Sequence, residues 1–264
     1  MSEGRAAGDA ARPLAGAGIV VTRPARQAAG LVAQLATLGA RPLVVPAIVI
    51  LPPADRGPLD RAHASLASCA AAIFVSANAA EYGAPPKGQW PAHVRAFAPG
   101  PGTAAALAAV GVPEVAVPDT TFDSEGLLAL PALRDVRGKR IVIFRGDGGR
   151  EVLGDTLRER GAQVDYVACY RRAAPASGID GLAHALRDGH VHAFTVTSSE
   201  GLDNLWTLFD ATTRERVRRL PFFVPHPRIA ERAQALGLTA VVTPGADAGL
   251  VAGLLEWFAS HPPT

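Results

Sequence analysis

Two arginines occupy matching places in this chain and set the first chemical expectation. Arg23 follows the run Ile19-Val20-Val21-Thr22, and Arg145 follows Ile141-Val142-Ile143-Phe144. A guanidinium presents two parallel N–H donors, which suits it to carboxylates and phosphates. Arg145 also opens the turn Arg145-Gly146-Asp147-Gly148-Gly149-Arg150-Glu151. A glycine-rich turn from a strand into a helix leaves backbone N–H groups beside the positive end of the helix dipole, a setting for an anion. A dinucleotide fingerprint is excluded, because its spacing needs glycine at 151, where the chain has Glu151. A tight turn without a ligand is the plain alternative.

Hydroxyl and amide side chains recur at similar turns. Ser76 and Asn78 follow Ile73-Phe74-Val75, Ser198 and Ser199 follow Thr195-Val196-Thr197, and Thr103 follows Gly100-Pro101-Gly102. Serine and threonine at such turns cap the following helix, and a cap at the carboxyl end of a strand can also face a ligand. Tyr170 ends an extended segment, where a phenol serves either as an acid near a cleft or as half-buried packing. The chain carries no nucleophile elbow, P-loop, paired catalytic carboxylates or H-E-x-x-H. Cys69 and Cys169 stand without a C-x-x-C or a His/Cys cluster, so no metal is expected.

The elements that must place these residues form an internal repeat. Residues 19–24 match 141–146 and residues 73–79 match 195–201, both at an offset of 122. Gly100-Pro101-Gly102-Thr103-Ala104 matches His226-Pro227-Arg228-Ile229-Ala230 at an offset of 126. Each copy reads as a short apolar strand, a polar turn and a helix. That alternation predicts an α/β protein of two similar lobes, each a parallel sheet with helices on its faces. Ligands of such sheets bind beyond the carboxyl ends of the strands, where every turn named above falls. The working site is expected in the cleft between the lobes. Segments 42–51 and 164–172 break the rhythm; each can be an ordinary strand, or the two can pair as a connector.

Composition narrows the partners. A chain of 264 residues, 48% hydrophobic with a formal charge of +2, fits one large domain or two ordinary ones. Its basic residues are arginines apart from Lys87 and Lys139, without a basic stripe interleaved with aromatics, so no nucleic acid is expected. The longest apolar runs are far too short to cross a bilayer, so no membrane is expected. Residues 1–16, rich in Ala, Gly and Arg, read as a disordered tail, neither signal peptide nor span. Two unpaired cysteines suit a reduced, cytoplasmic chain.

Several stretches, taken in order, resemble the uroporphyrinogen-III synthase family. They are Val21-Thr22-Arg23-Pro24, Phe74-Val75-Ser76-Ala77-Asn78-Ala79, Gly100-Pro101-Gly102-Thr103-Ala104-Ala105-Ala106-Leu107, Asp123-Ser124-Glu125-Gly126-Leu127-Leu128, the turn from Arg145 to Glu151, and Tyr170. The resemblance runs from about Gly18 to the end of the chain. It implies two HemD-like lobes joined by a two-stranded connector. Lobe one would be 17–43 with 173–264, lobe two 51–166, and the connector 44–50 and 167–172. The repeat would then be split across the lobes.

The implied reaction cyclises the linear tetrapyrrole hydroxymethylbilane, with loss of water and inversion of ring D. The resemblance further implies a monomer that uses no metal and no organic cofactor. Tyr170 would be the acid assisting departure of the hydroxyl. Arg23, Ser76, Asn78, Gly100, Thr103, Arg145, Gly146, Ser198, Ser199 and Arg228 would contact a substrate that carries eight carboxylates. Departure of the hydroxyl leaves a cationic azafulvene, which demands positioning and a proton donor more than a strong nucleophile. The missing catalytic cluster fits that chemistry. The chain departs from the family at His226-Pro227-Arg228, where many members have a second Gly-Pro-Thr-like turn; Arg228 would supply the anion contact there. The other reading is a non-catalytic two-lobed small-anion-binding or regulatory module.

Overall fold

Short runs of β-branched and aromatic residues, bounded by glycine, proline and polar turns, form the strands. The computed structural model describes residues 12–176 and 179–263. Its strands are β1 (Gly18–Val21), β2 (Arg41–Val44), β3 (Val49–Leu51), β4 (Ala71–Phe74), β5 (Arg95–Phe97), β6 (Val115–Ala116), β7 (Arg140–Gly146), β8 (Gln163–Ala173), β9 (Ala193–Thr195), β10 (Pro221–Val224) and β11 (Thr239–Val242). By internal contacts the described chain divides into two units. One holds the residues up to Val49 and those from Ala173 onward; the other is Ile50–Arg172.

In the first unit the strand order is β11-β10-β9-β1-β2, and every neighbouring pair is parallel. Both faces of β1 are buried, as expected when helices cover both sides of a parallel sheet. The alternation of a strand divides the core. Ile19 and Val21 pack with Leu31 and Leu35 of the helix Ala25–Thr37 and with Leu250 and Leu254 of the helix Ala246–Ser260. Val20, Phe194 and Phe222 pack on the other side with Leu202 and Leu205 of the helix Ser199–Leu208 and with Ala233 of the helix Pro227–Ala235.

In the second unit the order is β3-β8-β7-β4-β5-β6. The pairs β8-β7, β7-β4, β4-β5 and β5-β6 are parallel. Here too alternation splits the core: Phe74 and Phe144 stack at 4.7 Å on one face, while Ile73, Ile141 and Ile143 join Leu153 and Leu157 on the other. The two sheets follow one plan. Written side by side, β6-β5-β4-β7-β8 and β11-β10-β9-β1-β2 place each repeated strand in the same position. The opening strands have changed partners, since β1 lies among β9–β11 and β7 beside β4–β6. The sequence repeat is therefore split across the units.

Three boundaries differ from the sequence reading. Residues 1–11 of the expected tail lie outside the described residues, but 13–16 form a turn with Leu14 fully buried against the helix-covered face of β1. Burial of Leu14 and Ala17 in that cluster and the Leu14 N–H bond to the Leu38 carbonyl at 3.0 Å hold the turn in place. The expected connector 167–172 is the later part of an eleven-residue strand, β8, whose earlier part pairs with β7 from Gln163 onward. The expected connector 44–50 begins inside β2 and ends inside β3, which neighbours β8. The chain passes between units within β3 and again within β8. No helix among the described residues is long and apolar enough to cross a membrane.

One irregularity in β8 bears on the site. Arg145 pairs with Ala168, but Gly146 pairs with Tyr170, so Cys169 is an extra residue in the ladder. Plain alternation would put Tyr166 and Tyr170 on one face. The bulge flips the second: Tyr166 packs on the Ile143 side, and Tyr170 joins Phe144 on the other.

Candidate active site

A cavity of about 340 Å³ opens at the carboxyl ends of β4, β7 and β8, within the unit Ile50–Arg172. Val75, Ile143 and Leu153 form its apolar lining, and Ser76, Ser124, Tyr166, Tyr170, Arg145, Arg150 and Arg172 supply the polar groups. The described lining thus holds three guanidiniums and no carboxylate.

Ser76 lies just past β4 in extended conformation and caps the helix Ala77–Gly83, accepting the Ala79 N–H at 3.1 Å. Its Oγ is also 3.3 Å from the Tyr170 hydroxyl. Tyr170 is only 3% exposed, its ring within the core and its phenol at the cavity wall. Gly146 makes that approach feasible: a Cβ there would stand 3.0 Å from ring atoms Cε2 and Cζ. Behind the phenol, the Cys169 thiol donates to the Arg145 carbonyl at 3.2 Å. Burial pushes that thiol up to about 12, so it stays protonated and serves as packing.

Arg145 leaves β7 into the cavity with its side chain 11% exposed. Its guanidinium carbon lies 4.6 Å from the centroid of the Tyr166 ring, and Glu151 is its nearest carboxylate at 3.8 Å. Gly149, with φ at +132°, leaves room beside it, since a Cβ there would fall 3.0 Å from Nη2. Among the described residues the guanidinium makes no hydrogen bond. The arginine is therefore buried, charged and open toward the cavity, the condition that favours an incoming carboxylate.

Of the residues singled out from the sequence, Ser76, Arg145, Gly146 and Tyr170 line this cavity. Asn78, Gly100 and Thr103 belong to the same unit but do not line the cavity. Asn78 lies half-buried in the first turn of the helix Ala77–Gly83. Gly100 begins the helix Pro101–Ala109 under Phe122, whose Cβ would be 3.2 Å from a Cβ at Gly100. Thr103 is buried and its N–H reaches the Gly100 carbonyl at 3.2 Å. The sequence reading gives no site role to Ser124, Arg150, Tyr166 or Arg172. Arg150 stands in the glycine-rich turn and Arg172 two residues past Tyr170, signals that were available; Tyr166 read only as part of an alternating strand.

The remaining expected residues belong to the other unit. Arg23 forms an ion pair with Asp247, which begins the helical turn after Gly245. The repeat therefore does not yield two equal arginines: among the described residues Arg23 has an internal counter-ion and Arg145 has only the distant Glu151. Ser198 caps its helix, accepting the Gly201 N–H at 3.0 Å, and the Ser199 hydroxyl is buried without a hydrogen-bond partner among the described residues. Arg228 is exposed, its N–H donating to His226 Nδ1 at 3.1 Å, so the histidine in the divergent turn acts as a helix cap. Among the described residues no grouping of three or more His, Cys, Asp or Glu could hold a metal ion.

Two units, each a sheet of parallel strands flanked by helices and built on one duplicated plan, with a cavity at the strand ends of one of them, define a class of duplicated α/β protein. The comparisons with known proteins narrow it. Residues 29–249 match the family described as uroporphyrinogen-III synthase HemD. The uroporphyrinogen-III synthase of Escherichia coli K12 is 36% identical over 226 residues, 83% of this chain and 91% of that protein. The chain belongs to the uroporphyrinogen-III synthase family. A crystal structure of the Thermus thermophilus synthase, a mutant form, matches with a TM-score of 0.53 at 21% identity, covering 92% of this chain and 99% of that one. The Helicobacter pylori enzyme matches at 0.52 and 14% identity, covering 90% and 98%. At such identities these two likenesses bear on the fold alone.

Proposed function

We propose that this chain closes hydroxymethylbilane to uroporphyrinogen III, as a cyclising hydro-lyase of tetrapyrrole biosynthesis, and that the cavity beside Tyr170 is where the hydroxyl departs. The observation that carries the site assignment is a phenol 3.3 Å from the Ser76 hydroxyl, in a lining with three arginines and no carboxylate. The arginines suit a substrate rich in carboxylates. The pyrrole nitrogen supplies the electron pair that expels the hydroxyl; Tyr170 donates the proton with which it leaves as water. Ser76 holds the phenol by hydrogen bond. The azafulvene carbon then bonds to the α-carbon of ring D that already carries the methylene bridge; that bridge bond breaks and re-forms at the free α-carbon of ring D, which inverts the ring, and the proton lost from that carbon restores the phenol.

On this reading the chain works in the cytoplasm as a monomer, without metal or organic cofactor. A coupled assay with porphobilinogen and its deaminase tests it. Purified protein should give uroporphyrinogen III in excess of the spontaneous isomer I, and EDTA should leave the rate unchanged. Isomer I alone from folded protein would overturn the activity and favour a binding module.

A further inference from the structure

Tyr166 touches the rim of the cavity at three points. Its ring lies against the Arg145 guanidinium, 4.6 Å from carbon to centroid. Its hydroxyl accepts the Gly154 N–H at 2.9 Å and donates to the Glu151 carbonyl at 3.0 Å. The side chain thus ties β8 to the end of the glycine-rich turn and to the first turn of the helix Val152–Glu159. Glycine at 154 is a condition of that tie, because a Cβ there would stand 2.3 Å from the phenol oxygen.

A buried guanidinium must be held by something. Glu151 is a poor holder, at 3.8 Å and with its side chain 64% exposed. An aromatic face attracts the cation through its quadrupole and consumes none of the N–H donors. Arg158 offers a contrast on the same ring, at 5.2 Å: it spends its donors on Asp155 at 3.0 Å and on the Val164 carbonyl at 3.2 Å. Arg145 spends none on a described residue. We propose that Tyr166 is a positioning residue that orients Arg145 through its ring, leaving the guanidinium donors free for a substrate carboxylate. This rests on the reading that Arg145 receives such a carboxylate.

The test uses the full chain with Tyr166→Leu and Tyr166→Phe, assayed on deaminase-generated hydroxymethylbilane. A cation–π contact of this kind corresponds to roughly 2- to 30-fold in affinity. Tyr166→Leu should raise KM about tenfold with kcat within about twofold. Tyr166→Phe keeps the ring and loses both hydrogen bonds, so it should melt at a lower temperature while KM rises no more than about twofold. In an Arg145→Ala background, Tyr166→Leu should add nothing to KM. Equal KM increases in the Leu and Phe variants, or an unchanged KM in Tyr166→Leu while Arg145→Ala raises it, would overturn the proposal. An unchanged KM in Arg145→Ala would instead overturn the carboxylate reading on which it rests. Should Tyr166→Leu not fold, the Arg145 Nε proton decides: an upfield ring-current shift in wild type and in Tyr166→Phe supports the stacked geometry, and its absence overturns it.

Discussion

The Tyr170 phenol has the Ser76 oxygen 3.3 Å away as its side-chain partner, and its ring is fixed between the core and Gly146. A donor so placed loses little entropy on reaching a leaving group. Because the pyrrole nitrogen already drives departure, acid assistance should fall at or below the lower end of its usual 10²- to 10⁴-fold range. Tyr170→Phe should therefore lower single-turnover rate by about ten- to a hundredfold, keep the melting temperature and keep the preference for isomer III. A wild-type rate would return Tyr170 to packing. The two repeated arginines should also part company. Arg145→Ala should raise KM by roughly 10- to 150-fold, the worth of a charge-assisted hydrogen bond. Arg23→Ala should cost less binding, since Asp247 already engages Arg23. Steady-state kinetics of both variants check the order. In the sequence these arginines looked equivalent, because a shared place after a strand says nothing of a counter-ion 224 residues away.

At the scale of elements, β8 shows where sequence patterning runs out. Its alternation from Val164 to Ala168 was legible, as were the strand-turn-helix copies and the caps at Ser76 and Ser198. The extra residue at Cys169 was not, because a bulge exists only relative to the partner strand β7. That one residue decides which face receives Tyr170. It also explains why Tyr166 went unmarked: four residues earlier on an alternating strand, it had no distinguishing chemistry until folding set Arg145 over its ring. The bulge leaves Gly146 opposite Tyr170 with no room for a side chain. Gly146→Ala should therefore displace the ring from Ser76, cutting kcat at least tenfold with a smaller change in KM and a lower melting temperature. Kinetics and thermal melts of the Ala variant measure this, and an unchanged kcat would mean that the ring position is slack.

At the scale of the whole molecule, each hydrophobic cluster draws its residues from one unit. Two lie in Ile50–Arg172 and two in the remainder. Cooperative unfolding follows shared cores, so the units should melt as separate transitions. The chain carries suitable reporters. Cys69 and Cys169 are both buried in Ile50–Arg172, while Trp206 and Trp257 belong to the other unit. With Trp90→Phe removing the third tryptophan, urea transitions followed by thiol labelling and by fluorescence should have different midpoints. Labelling is a faithful probe because burial raises the Cys169 thiol from 9.0 to about 12. At pH 8 the folded thiol then carries far less thiolate than the unfolded one, so reaction requires opening. The same shift fixes a sign. Between about pH 9 and 12 the folded thiol keeps a proton that the unfolded thiol has lost, so its contribution to stability is full below 9 and is lost as pH rises toward 12. Cys169→Ala should flatten that alkaline decline in the thiol-reported unit, with Cys69 left as the label, and leave the tryptophan-reported transition where it was. Superimposed transitions from the two probes at every pH would mean that the two units unfold as one.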